Sequence, residues 1–152
     1  MDGFPLLSAL IWLPLLGGLL TLAFGESRGT QAKGFALLVA LLTLALCIPL
    51  YTGFDVASPA MQFVEKRSWI SAFDIYYHLG VDGISVALIL LTAVVGLLVL
   101  IGAWSSVTQR VHQFYAAFLV LQGLMIGVFA AQDAILFYVF FEAMLIPMFI
   151  VI

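Results

Sequence analysis

Five apolar stretches, each close to the roughly 20 residues a spanning helix requires, dominate this chain. They run Pro5–Phe24, Gly34–Gly53, Ile84–Trp104, Phe114–Ala131 and Ala134–Ile152. At about 1.5 Å of rise per residue, a helix of that length crosses a hydrocarbon layer about 30 Å thick. Barrel strands are shorter and alternate in polarity, which these stretches do not. Of the 152 residues, 65% are hydrophobic and only 9% charged, where soluble domains carry about 25% charged residues. A soluble core of this length has no room for so much apolar surface, and a bilayer has. The expected fold is therefore all-α, a polytopic transmembrane bundle of about five spanning helices. The first stretch does not read as a signal peptide, because it follows Asp2 instead of a basic region and its apolar run is too long.

The connections are short and polar, with one exception. Gly25–Lys33 joins the first two helices, Ser105–Gln113 the third and fourth, and Gln132-Asp133 makes a very tight turn before the fifth. The exception is the extramembrane loop 54–83, in which Gln62–Ile70 fits a short strand or surface hairpin. The formal charge of −3 is spread over several loops, and no basic run exists to track phosphates, so a nucleic-acid partner is excluded. Arg28, Lys33 and Arg110 fall on one side of the membrane; Lys66 and Arg67 fall on the other, far from helix ends. Weighting charges near helix ends places the first group in the cytoplasm and the N-terminus outside. Trp104 and Tyr115 sit where interfacial belt residues belong, whereas Trp12 does not. The last apolar run has no polar residue after Glu142, which reads as the front part of a longer subunit.

Glu142 is the one sharp chemical lead. Nine residues separate it from Asp133, which puts it about 13–14 Å into the hydrocarbon layer. An ionisable side chain at that depth costs about 2.5–3.5 kcal/mol on insertion scales. Tyr138, one turn earlier, shares its face, while Asp133 lies about 900° of rotation away, on the opposite side. The two carboxylates are thus not an acid–base pair. Pro147 has no N–H to give the Ala143 carbonyl, which predicts a bend beside Glu142 and a free acceptor suited to ordered water. Burial favours the neutral carboxyl and a nearby cation favours the charged one, so a partner that moves would let Glu142 take up and release a proton. No lysine or arginine occurs in the predicted helix cores, which places that partner beyond this chain. The structural reading, a neutral glutamate bonded to a neighbouring helix, is the weaker of the two because acids at the membrane centre are rare and expensive.

The remaining polar residues divide between structure and a path for protons. Gln122 suits a hydrated path or an interhelical hydrogen bond. Asp133 suits a helix cap or the mouth of a proton path, and Asp82 suits the N-cap of the third helix. Gly123 and Gly127 form a small-xxx-small pattern typical of close helix contacts. Cys47, Met144 and Met148 are packing residues. His78 and His112 read as solvated loop residues without metal-ligand spacing. With no nucleotide loop, cysteine cluster or nucleophile elbow, any redox chemistry belongs elsewhere.

Three strings resemble a known family: Gly80-Val-Asp-Gly-Ile-Ser85, Met125-Ile-Gly-Val-Phe129 and above all Asp133–Met148, with its Phe-Glu-Ala-Met-Leu-Ile-Pro-Met core. They resemble the antiporter-like membrane subunit M (chain 4) of proton-pumping NADH:quinone oxidoreductase, respiratory complex I. The likeness is clearest from Val81 onward, and Phe141 stands where the family more often has Trp. The resemblance implies a fourteen-helix antiporter-like subunit of a bacterial inner membrane, N-terminus periplasmic, of which this chain is the front part. It divides the chain into 1–125, the first four helices with the loop, and 126–152, where the proton-translocating module starts. It also implies that Glu142 is the fifth-helix glutamate, paired with a lysine on the seventh helix. The chain itself would be a non-redox subunit binding no cofactor, with NADH, FMN, iron–sulfur clusters and quinone in partner subunits. Its partners would be the other membrane subunits of the complex and the lipid bilayer. The other readings are a subunit of an Mrp-type cation/proton antiporter or membrane-bound hydrogenase, and an apolar membrane scaffold.

Overall fold

The computed structural model describes residues 5–151, so Asp2 and Ile152 lie outside the described residues. Six helices and one hairpin follow in order: α1 (Leu6–Leu22), α2 (Gly29–Thr52), β1 (Gln62–Ile70), β2 (Ile75–Val81), α3 (Gly83–Gly102), α4 (Val111–Ala130), α5 (Ala134–Ala143) and α6 (Leu145–Val151). Helices α2, α3, α4 and the α5–α6 pair are each long and apolar enough to cross a membrane, and α1 is a slightly shorter apolar helix. The polytopic helical bundle expected from the apolar stretches is what forms.

Packing centres on α4. Lipid tails are as apolar as leucine, so helices in a bilayer associate through close contact instead of water exclusion. The α1–α4 crossing shows how that contact is reached. A methyl group on Gly123 would stand 2.7 Å from the Ile11 carbonyl oxygen, and one on Gly18 would stand 2.8 Å from that of Ala116. Gly127 serves a different neighbour, since its missing side chain leaves room for the Phe140 ring of α5. The two glycines of the small-xxx-small pattern thus admit two different helices. Gly17 does the same for α2, where Val39 fills the space.

The long loop folds into an antiparallel hairpin that covers one end of the bundle. Its turn passes through Ser71–Phe73 to Asp74, which takes the left-handed conformation (φ 53°) that a short polar side chain tolerates. Lys66 pairs with His78 and Ser68 with Tyr76, and the Lys66 ammonium lies 4.6 Å from the Tyr76 ring centre. At the start of α1, the Ser8 hydroxyl donates to Glu65 at 2.6 Å and the Ser8 N–H donates to the same carboxylate at 3.0 Å. Tyr77 holds a second contact, receiving the Trp12 indole N–H at 3.1 Å and sharing a hydrogen bond with Ser8 at 2.9 Å. Trp12 is therefore a polar anchor at the hairpin end, a role its place inside an apolar stretch conceals.

Several local expectations change. Helix α2 begins at Gly29, inside the connection expected to run to Lys33, because Ala32 packs fully buried and draws its turn into the bundle. Tyr115 is not a belt residue: it is fully buried, and its hydroxyl donates to the Leu100 carbonyl at 3.0 Å. His78 belongs to β2, and His112 to the first turn of α4 with its Nδ1 buried; neither is a solvated loop residue. Asp82 caps α3, accepting the Ser85 N–H at 2.8 Å. Cys47 is buried among apolar neighbours.

Candidate functional site

The last apolar stretch is two helices. Helix α5 ends at Ala143, Met144 intervenes, and α6 resumes at Leu145. The interruption falls where Pro147 fails to donate to the Ala143 carbonyl, so an acceptor without a helical partner lies next to Glu142. Pro147 itself is buried and borders a groove that Leu19 of α1 and Ala116 of α4 also line.

Helix α5 has two unlike faces. Leu136 and Phe140, one turn apart, are buried, Phe140 against Gly127 of α4. Tyr138 and Glu142, also one turn apart, are exposed on the side turned away from it. Phe137 and Phe141 stack at 6.1 Å between ring centres, next to that polar pair. An isolated carboxylate in this position is a group waiting for a cation or a hydrogen-bond partner from outside these helices.

The start of α5 is fixed with unusual thoroughness. Asp133 accepts the Ile135 and Leu136 N–H groups at 2.9 and 3.4 Å and, from across the chain, the Tyr76 N–H at 3.2 Å. The Tyr76 hydrogen bond above all, with those from Ile135 and Leu136, holds its carboxyl below the usual carboxylate range. Gln132 adds two more ties to β2: its N–H donates to His78 at 2.8 Å and its side chain to the Gly80 carbonyl at 3.1 Å. Leu79 and Ala131 also form a bridge. The tight turn between α4 and α5 is thus strapped along the free edge of β2. This strap sets where α5 enters the bundle, and hence where Glu142 points.

Gln122 lies elsewhere. It is 4% exposed, at the α3–α4 contact, where its amide oxygen would stand 2.8 Å from a methyl group on Gly96. Its Nε2 has no partner among the described residues. It borders an apolar groove of about 230 Å³ with Thr92 and Met125. The structure brings Tyr138 and Glu142 together, engages Asp133 as a cap and strap, and keeps Gln122 on another face of α4. The Gln132 strap and the Ser8–Glu65–Tyr77 cluster had no counterpart in the sequence reading. Only the polar residues beside the hairpin hinted at them.

Comparison with known proteins places these features in context. No family model matches the chain. It is 45% identical over 151 residues to NADH-quinone oxidoreductase subunit M of Rhodobacter capsulatus, an alignment covering 97% of this chain and 29% of that protein. It is 38% identical over 148 residues to F(420)H(2) dehydrogenase subunit M of Methanosarcina mazei, covering 97% of this chain and 30% of that one. Among solved structures, it superposes on a chain of respiratory complex I from Thermus thermophilus with a TM-score of 0.76 and 29% identity, covering 93% of this chain and 27% of that one. The chain spans about three tenths of the length of the relatives it matches.

Proposed function

We propose, for a chain homologous to the NADH-quinone oxidoreductase subunit M proteins over 29% of their length, that it serves proton translocation coupled to electron transfer from NADH to quinone. The observation that carries this reading is the exposed Tyr138–Glu142 face of α5, with a carboxylate deep in an apolar helix and a helix interruption beside it. Glu142 is the proton-transfer group. A cation from the rest of the assembly would favour the charged form of Glu142 on approach, and its withdrawal would favour the neutral one, so a proton leaves and returns. Tyr138 lies on the same face to relay the proton, and the carbonyl freed at Ala143 offers a water a second acceptor.

Helices α1 to α4 and the hairpin form the scaffold, and the translocating part of the chain starts at residue 126 and continues through α5. The chain acts as a non-redox subunit, with NADH, FMN, iron–sulfur clusters and quinone held by partner subunits. The similarity to a subunit of an F(420)H(2) dehydrogenase supports this division, since a related membrane subunit there serves a different electron donor. The N-terminus and hairpin lie on the periplasmic side, a reading supported by Arg28, Lys33 and Arg110 at the opposite end.

Each proton moved across 100 mV takes about 2.3 kcal/mol, so the driving reaction must come from the redox partners. Inverted membrane vesicles from cells carrying or lacking the gene test the proposal. Proton uptake driven by NADH should disappear with the gene. Sodium–proton exchange that persists in its presence without NADH would instead identify a cation antiporter subunit.

A further inference from the structure

A second polar feature sits at the end of the bundle opposite the hairpin. A cavity of about 510 Å³ opens between the first turn of α2 and the α3–α4 connection, lined by Ser27, Arg28, Thr30, Gln31, Lys33 and Thr108. Two of the chain's five lysines and arginines are in this lining, and none of the described lining residues is acidic.

Lys33 is positioned before any ligand arrives. Its ammonium donates to the Trp104 carbonyl at the end of α3 and lies 5.6 Å from the Trp104 ring centre. An ammonium has three donors, so one held by a carbonyl and an indole retains others for an anion. Arg28 is exposed and carries the planar fork suited to a phosphate. Ser27, Thr30 and Thr108 add hydroxyl donors, and the opening of α2 adds main-chain N–H groups without helical acceptors. The donors are all of the kind that binds a phosphate oxygen, and among the described lining residues the charge is positive.

Position identifies the source. Helices α2, α3 and α4 each span the apolar layer, and this cavity lies at their common end, beside a tryptophan. That is the level of phospholipid headgroups, where Trp and basic side chains concentrate. We propose that this cavity binds a phosphate group, supplied by the headgroup of an anionic phospholipid. The site is separate from the Tyr138–Glu142 face and does not depend on the function assigned to it.

The test uses the chain in its native membrane assembly, reconstituted in phosphatidylcholine vesicles containing a small fraction of photoactivatable phosphatidylglycerol labelled near the headgroup. Adducts should map to residues 27–33 and 107–111. They should fall by about fivefold or more in an Arg28→Gln/Thr30→Val variant, the worth of roughly one basic side chain at an anionic surface. Both replaced residues are exposed, and recovery of intact assembly checks that the fold survives. Lys66→Gln/Arg67→Gln, at the hairpin end, should leave the labelling unchanged. Three results would overturn the proposal: equal labelling of these segments by a phosphatidylcholine analogue, equal labelling in the Arg28→Gln/Thr30→Val variant, or loss of the label to excess inorganic phosphate with the bilayer intact, which would reveal a soluble-anion site. Should that variant not assemble, Thr108→Val alone must lower the labelling, and unchanged labelling overturns the proposal.

Discussion

Helices α4 and α5 are neighbours with opposite characters. Over their apolar spans, 56% of α4 is buried but only 17% of the α5–α6 pair. Helix α4 is surrounded: α1 crosses it at Gly123, α3 meets it at Gln122, and α5 sits on Gly127. Helix α5 is seated on one face and open on the other, and the open face holds Tyr138 and Glu142. Burial and exposure are thus divided between the two helices. A helix that carries an expensive carboxylate has to be held by something else, and here the glycine contacts of α4 and the strap on β2 do so.

The contrast breaks most easily at Gly123. Replacing it with valine puts branched carbons against the Ile11 carbonyl and Leu15 N–H, which are main-chain atoms that cannot rotate away. Assembly of the Gly123→Val protein should fail, and Gly123→Ala should cost about 1–3 kcal/mol, read as a lower thermal midpoint of the detergent-solubilised protein. On the open face, Tyr138→Phe should leave that midpoint unchanged. If both substitutions act alike, the two helices do not differ as described.

Tyr115→Phe comes next in size. It leaves the buried Leu100 carbonyl without its side-chain donor and should lower stability by about 1 kcal/mol. The same midpoint measurement checks it, with Tyr51→Phe, on an exposed residue, as the control.

Asp133 gives the smallest effect and a sign that can be worked out. Its carboxyl lies below the usual carboxylate range in the folded chain, chiefly through the Tyr76 hydrogen bond. Its stabilising contribution is therefore present above the carboxylate range of an unfolded chain and is lost as the pH falls through the lower folded value. The midpoint difference between the wild type and Asp133→Asn should narrow on acidification. A difference that is constant with pH would show that the cap acts through shape and not charge.

Much of the fold was legible in the residues, and the reasons are specific. Five apolar runs of about twenty residues can be little else than spanning helices, and Asp82 ahead of an apolar run reads as a cap. The start of α2 was not legible, because Thr30 and Gln31 are compatible with loop and helix alike and packing of Ala32 decides the matter. Tyr115 looked interfacial by its distance from a helix end, yet its direction comes from a carbonyl on another helix. The strap from Gln132 to β2 runs largely through main-chain groups, which every residue possesses, so no side-chain pattern announces it. Of the site, the shared face of Tyr138 and Glu142 followed from helix geometry alone.

The proposed role of Glu142 is to exchange a proton and not to hold helices together. It is tested most directly by NADH-driven proton uptake in inverted vesicles carrying Glu142→Gln in the intact assembly. The assembly should form in normal amount while proton uptake and NADH:quinone activity fall severely. Full uptake in the glutamine variant, together with loss of assembly in Glu142→Leu, would contradict it and leave Glu142 as a contact between helices.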